Sequence, residues 1–201
     1  MMMSLLVWMN LLMLGHLPHV DSAYQCRLVT SWSSAHASYG ATQDPVSKNM
    51  YFTRDVKGVP TLFVASDLSS MPQVCNLRGG DQSSALGCVT FANNGDAFGV
   101  TYVMGSRQTR ATIVQLYRSS DTIVIGAPVP SLLADVFTSF PTISPDGQLM
   151  VFVTDRPGSI GSTDLWQAER QIDGSFGQPL HCGNAVNSPF AETTPDRKSV
   201  V

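Results

Sequence analysis

The sequence predicts an all-β chain built from repeated blades of a β-propeller. Three observations lead there. The stretch from Ser139 to Arg170 holds two strand-length segments, each preceded by a turn. The same pattern returns at spacings of 50 to 52 residues along the chain, and a four-stranded blade occupies ~40–50 residues. Charged residues make up 13% of the chain, which also carries 16 Gly and 12 Pro. That balance suits a turn-rich β protein better than a helical one.

Each element of the central stretch has a local cause. Ser144-Pro145-Asp146-Gly147 is a turn: Pro145 sets φ, Asp146 can bond its own backbone, and Gly147 accepts positive φ. Leu149 to Val153 is a continuous apolar run of strand length, so burial on both faces is expected. Asp155-Arg156-Pro157-Gly158 turns the chain again, and Ser159 to Ser162 extends that loop. Thr163 to Glu169 is a second strand, with Leu165 and Trp166 supplying apolar bulk.

The repeats begin near Asp44, Phe91, Ile143 and Thr193. Phe91 to Gly95 falls on Ile143 to Gly147, and Ile113 to Arg118 falls on Leu165 to Arg170. Met50 to Asp55 falls on Met150 to Asp155. Leu62 to Ala65 then matches Leu165 to Ala168 if the loop between is three residues shorter. Phe190 to Val201 repeats the turn and opens another strand. Three blades and the start of a fourth are expected, so the propeller is incomplete. Closed propellers carry ~4–8 blades, and open apolar sheet faces drive association. The chain is therefore expected to be a fragment of a longer product or to assemble with another copy.

These motifs carry a family resemblance. Ser144-Pro145-Asp146-Gly147, then an apolar strand, then Thr154 to Gly158, then Thr163-Asp164-Leu165-Trp166, resembles the WD40-like β-propeller repeat of the TolB type. It is similar above all to the bacterial repeats that precede OmpA-type peptidoglycan-binding domains. Asp173-Gly174-Ser175-Phe176-Gly177-Gln178-Pro179 and Val186-Asn187-Ser188 continue the likeness, so the third repeat matches along its whole length. The first two are degenerate: Val46 and Ser47 replace Asp-Gly, and Asn93-Asn94 replaces Pro-Asp. The resemblance covers roughly Thr42 to Val201. It implies a non-enzymatic protein-binding or scaffold module of the bacterial cell envelope, periplasmic or outer-membrane-associated, with envelope proteins as partners. The OmpA-type domain is not among these residues, so peptidoglycan binding does not carry over. A second reading makes the propeller the substrate-gating part of a prolyl-oligopeptidase-like hydrolase.

The N-terminal region has its own logic. Met1 to Ser22 resembles a secretory signal peptide. Leu5 to Leu14 is its apolar core, interrupted by Asn10 and too short for a membrane span of ~20 residues. Pro18 breaks the helix, and Val20-Asp21-Ser22 offers a cleavage site. The n-region departs from the pattern in lacking Lys and Arg. Gln25 before Cys26 is too large for a lipobox. Residues 23–41 form a Ser- and Ala-rich lead-in, and 42–201 the repeats. The mature chain has 12 basic and 14 acidic residues, and no basic patch points to nucleic acid. Export permits disulfides among Cys26, Cys75, Cys88 and Cys182. Cys75 and Cys88 flank a Gly-rich loop, Leu77 to Leu86, and are the expected pair. Thr122 to Val129 reads as an outer strand, and Ser131 to Phe137 as either a helical turn or more strand.

Chemistry is not expected. There is no G-x-S-x-G elbow, and His36 and His181 lie in no catalytic setting visible in the sequence. No C-x-x-C or H-x-H spacing suggests zinc, and no cofactor is implied. Asp146, Asp155 and Asp164 stand nine residues apart, which suits carboxylate chemistry less than it suits Asp capping of turns. Arg156 is expected to pair with Asp155 or Asp164, or to join Trp166 in a binding surface. Trp166 is more simply a core residue. Glu192 resembles the acidic residue before the next blade's turn in the family, which implies a loop-fixing contact, and Asn187 is likewise expected to bond backbone.

Overall fold

The computed structural model describes residues 32–80, 84–103, 110–119, 121–133 and 136–195. The expected signal peptide Met1 to Ser22, Cys26, and the strand expected after Pro195 lie outside them.

Among the described residues the fold is all-β, in three consecutive sheets. The first contains β1 (Ser38–Gln43), β2 (Met50–Val56), β3 (Val59–Ala65) and β4 (Gln73–Val74), side by side in chain order. The second contains β5 (Asn76–Gly79), β6 (Ser84–Phe91), β7 (Ala97–Val103), β8 (Arg110–Ser119) and β9 (Thr122–Pro128), in the order β5-β9-β8-β7-β6. The third contains β10 (Thr138–Ile143), β11 (Leu149–Thr154), β12 (Asp164–Glu169) and β13 (Leu180–His181), again in chain order. The first and third sheets are antiparallel meanders, and the second is one from β6 to β9 with β5 added in parallel at its edge; the three are arranged as propeller blades. A 3-10 turn, Pro130–Leu132, follows β9, so Ser131 and Leu132 of the ambiguous stretch form a helical turn.

The internal repeat is visible in the register. Met50 pairs with Ala65 in the first sheet, and Met150 with Ala168 in the third. The intervening loop is three residues shorter in the first, as the sequence alignment requires. Each innermost strand is also broken by a bulge, between Tyr39 and Thr42, Gly87 and Thr90, and Ser139 and Thr142. One residue of each bulge has positive φ: Gly40 at 62°, Cys88 at 48° and Phe140 at 49°. A bulge sharpens local twist and re-aims its side chains. Here the three bulges converge. The Tyr39 and Phe140 rings pack 6.1 Å apart, the Cys88 N–H donates to Thr53 Oγ1 at 2.7 Å, and Tyr102 Oη lies 3.0 Å from Ser139 Oγ.

The cores lie between sheets. Tyr51 and Leu62 of the first blade pack on Leu86, Phe91, Val114 and Leu116 of the second. Phe98, Val100 and Ile113 of the second pack on Ile143, Met150 and Phe152 of the third. β11 is buried from Met150 to Thr154, in line with its continuous apolar run. The far face of the first blade is covered as well. Trp32, 1% exposed, stacks on Phe52 at 5.1 Å and donates through Nε1 to Ser70 O at 3.0 Å. The lead-in segment thus supplies a lid for one of the sheet faces expected to be open.

Two expectations need correction. Cys75, Cys88 and Cys182 are free thiols. Cys75 adjoins β5, the outermost strand of the second blade, and Cys88 sits in β6, the innermost. Four strand spacings of ~4.8 Å separate them by roughly 19 Å, whereas a disulfide needs Cα atoms within ~7 Å. The Leu77 to Leu86 stretch is also more than a loop. Its first part is in β5, which runs parallel to β9 from Asn76↔Thr122 to Gly79↔Ile125, and Ser84 already belongs to β6.

Candidate functional site

The polar residues singled out in the sequence gather on the third blade and its connecting loops. Asp164 opens β12 and is fully buried. Its Oδ2 accepts the Ile160 N–H at 2.6 Å and its Oδ1 the Gly161 N–H at 2.9 Å. Burial works to raise the pKa of this carboxyl. The Ile160 N–H, the His181 ring and the Gly161 N–H outweigh it and hold the value below the ordinary one.

His181 joins Asp164 from β13. Its Nε2 lies 2.7 Å from Asp164 Oδ2, and its Nδ1 accepts the Gly183 N–H at 3.1 Å. An accepting Nδ1 places the proton of the neutral ring on Nε2, which therefore donates to Asp164. Asn187 completes the group. Its Oδ1 accepts the Leu165 N–H at 2.8 Å and its Nδ2 donates to Leu165 O at 3.0 Å. One side chain thereby replaces a strand neighbour along β12 beyond the end of β13, which is the backbone role expected of it. Sequence reading missed the Asp164–His181 contact, because 17 residues and a loop separate the two. An Asp–His pair is one half of a catalytic triad in form. In this pair both ring nitrogens are occupied, Nε2 by Asp164 and Nδ1 by a backbone amide, so neither is left to take a proton from a nucleophile.

The other carboxylates fix turns. Asp155 Oδ1 accepts the Phe137 N–H at 2.8 Å. Asp146 Oδ1 accepts from Ser144 Oγ and from the Gln148 N–H, and these bonds lower its pKa, the Ser144 hydroxyl first. Glu192 Oε1 accepts from the Ser188 hydroxyl at 2.6 Å and the Ser188 N–H at 3.1 Å. The Glu192 backbone pairs with Thr163 through its N–H, 2.9 Å from Thr163 O, and through its carbonyl, which accepts from Thr163 Oγ1 at 3.0 Å. Asp146, Asp155, Asp164, Asn187 and Glu192 therefore all hold loops.

Arg156 does not pair with Asp155 or Asp164. Its guanidinium lies over two rings, 5.5 Å from the Phe152 centroid and 5.3 Å from that of Trp166. Its one hydrogen bond among the described residues is a long 3.4 Å contact from Nη2 to Leu132 O. Trp166 is half-buried between Arg156 and the edge of His181, and donates from Nε1 to Ser159 Oγ at 3.2 Å. It packs, partly buried, against the core between the second and third blades, close to the core role expected of it. His36 lies apart, in the exposed approach to β1.

Among the described residues no group of three or more His, Cys, Asp and Glu could hold a metal ion, and no helix is long and apolar enough to cross a membrane. An open, polar cleft of about 360 Å³ lies at the outer edge of the second blade, lined by Asn76, Leu77, Arg78, Asp121 and Thr122. Its Asn76 and Asp121 bond each other at 3.2 Å.

No family model matches the sequence, and a search of curated proteins finds no match. Solved structures do show similarity. TolB from Acinetobacter baumannii is 16% identical, with a TM-score of 0.49 over 77% of this chain and 34% of that one. A chain assigned as TolB from Agrobacterium tumefaciens is 11% identical, with a TM-score of 0.45 over 80% of this chain and 66% of that one. The chain thus spans about a third of the length of the first and just under two thirds of the second.

Proposed function

We propose that the chain is a non-enzymatic, protein-binding β-propeller module exported to the bacterial cell envelope. One observation carries the reading. The polar groups that could serve catalysis are engaged in holding loops, while the same end of the third blade exposes apolar side chains. Leu133, Ile160, Val186 and Phe190 are all exposed there, on loops that Asp155, Asp164 and Glu192 fasten down. Rigid loops carrying apolar tips suit recognition of another protein, which propellers perform at their loop ends. Fold alone does not select the partner. Export is supported by the apolar segment Leu5 to Leu14 and the Val20-Asp21-Ser22 site.

The test combines location and contact. Expressed from Met1 in a Gram-negative host, the protein is expected in the periplasmic fraction with Ala23 or Tyr24 at its N-terminus, and cross-linked to envelope proteins through the loop end. Intact Met1 in the cytoplasm overturns the export reading. A processed periplasmic chain that hydrolyses peptide or ester substrates overturns the non-enzymatic one.

A further inference from the structure

The outermost strands of the three sheets are not alike. β4 and β13 are two residues long, whereas β5 runs for four, Asn76–Gly79. β5 pairs in parallel with β9 on one side, and among the described residues no strand lies on its other side. All four of its residues are exposed. Alternate backbone N–H and C=O groups of such a strand point away from its neighbour and form a template for one more strand.

The side chains of β5 are sorted by face. Leu77 and Gly79 pair with Ile123 and Ile125, two members of the core between the first and second blades. Leu77 therefore sits at the rim of that core, 39% exposed where Ile123 is 2%. Asn76 and Arg78 lie on the other face. Asn76 Nδ2 donates to Asp121 Oδ2 at 3.2 Å, and Thr122 Oγ1 donates to Asp121 Oδ1 at 3.1 Å. These bonds set the exposed Asp121 carboxylate beside Asn76. The edge thus carries an acid at one end, a cation towards the other and a leucine between them.

An edge of this kind is complementary to itself turned round. In an antiparallel two-fold pairing, the residue on the axis fixes the register. Centred on Arg78, the pairing sets like charges opposite each other, which is destabilising. Centred on Asn76, it brings the two Asp121 carboxylates towards each other. Centred on Leu77, it sets leucine against leucine at the rim of both cores. Arg78 then lies opposite Asn76 of the second copy, with that copy's Asp121 carboxylate next to it.

We propose that two copies of this chain join edge to edge along β5, antiparallel and centred on Leu77, so that the sheet of each second blade continues into the other. Arg78 of each copy pairs with Asp121 of the other, twice over by symmetry. The contact is short, so the dimer belongs with small, reversible interfaces and depends on concentration.

Sedimentation equilibrium of the purified chain over a concentration series tests it. A mass rising from monomer to dimer and no further is expected. Arg78→Asp and Asp121→Arg each place like charges across the axis and should each weaken the dimer at least about tenfold. Both positions are exposed, so neither change disturbs a core. Mixed in equal amounts, the two variants should pair again, because each charge then meets its opposite on the other copy. A monomer at every concentration overturns the proposal and leaves the β5 edge to a strand of a different protein. A dimer that both variants leave intact overturns it too, as does a weakening that the mixture fails to reverse. Association beyond the dimer overturns two-fold closure at this edge.

Discussion

The Arg170 guanidinium of the third blade lies 2.6 Å from the Asp96 carboxylate of the second. Arg118 of the second blade makes the same 2.6 Å contact with Asp44 of the first. Both pairs are 74 residues apart in sequence. In each, the arginine also donates to the glycine carbonyl of its own blade's turn, Gly147 O or Gly95 O. In the second and third repeats one arginine therefore ties its own turn to the blade before it. The apolar cores between sheets supply the adhesion, and these clamps set how successive blades are aligned.

The two clamps should differ in strength because their burial differs. Asp44 is fully buried, whereas Asp96 and Arg170 are partly exposed. Arg118→Gln leaves a buried carboxylate short of its countercharge and is expected to cost ~2 kcal/mol, below the range for a fully buried pair because Val46 and Ser47 still donate to it. Arg170→Gln is expected to cost ~1 kcal/mol or less. Urea midpoints of the two variants check the order; equal losses would mean that burial of Asp44 is unimportant.

Acid should loosen the same contacts. Burial works to raise the Asp44 pKa, but Ser47, the Val46 N–H and Arg118 outweigh it and hold it low; Asp164 is also held low. A folded-state pKa below the unfolded value of ~3.9 contributes stability that is complete above that pH. It is lost as pH falls through the folded value. Stability is therefore expected to fall below about pH 4, with a smaller fall in Asp44→Asn. Identical acid profiles for the variant and the unaltered chain would remove Asp44 from the account.

Two glycines answer to different constraints. Gly147 has φ of 77°, so Gly147→Val should cost ~1 kcal/mol or more. Gly161 is held by close approach: any side chain meets the Phe190 carbonyl. Gly161→Ala should push the loop through Phe190 off Thr163 and raise proteolysis near Ser188 to Glu192 while the blade cores stay folded. Unchanged cleavage there would mean that the loop does not rest on Gly161.

The thiols should behave as buried, unpaired groups. Burial pushes both Cys75 and Cys88 up to about 11, so little reactive thiolate exists at neutral pH. Alkylation of both is expected to be slow in the folded protein and complete in denaturant without any reductant. Failure to label them in denaturant would point to a disulfide and against the separation described here.

Local chemistry made much of this molecule legible. The turn at Ser144 to Gly147, the buried run of β11, the 50 to 52 residue period and the shorter loop of the first blade all follow from residue types and spacing, because turn geometry and side-chain alternation are short-range properties. The role of Asp155 as a loop fastener followed in the same way, whereas those of Glu192 and Asn187 were expected from the family resemblance.

What depends on distant parts meeting was settled by the tertiary structure. β5 joins β9 across more than forty residues, an edge pairing that no local pattern encodes. Cys75 and Cys88 look adjacent along the chain and stand at opposite sides of one sheet. Asp164 meets His181 only after β12 pairs with β13. Arg156 has an acidic neighbour on each side in sequence, yet Asp155 and Asp164 turn to backbone amides whose other partners are lost on folding. Burial makes an unmet amide costly enough to claim a carboxylate, and Arg156 is left stacked on Phe152 and Trp166.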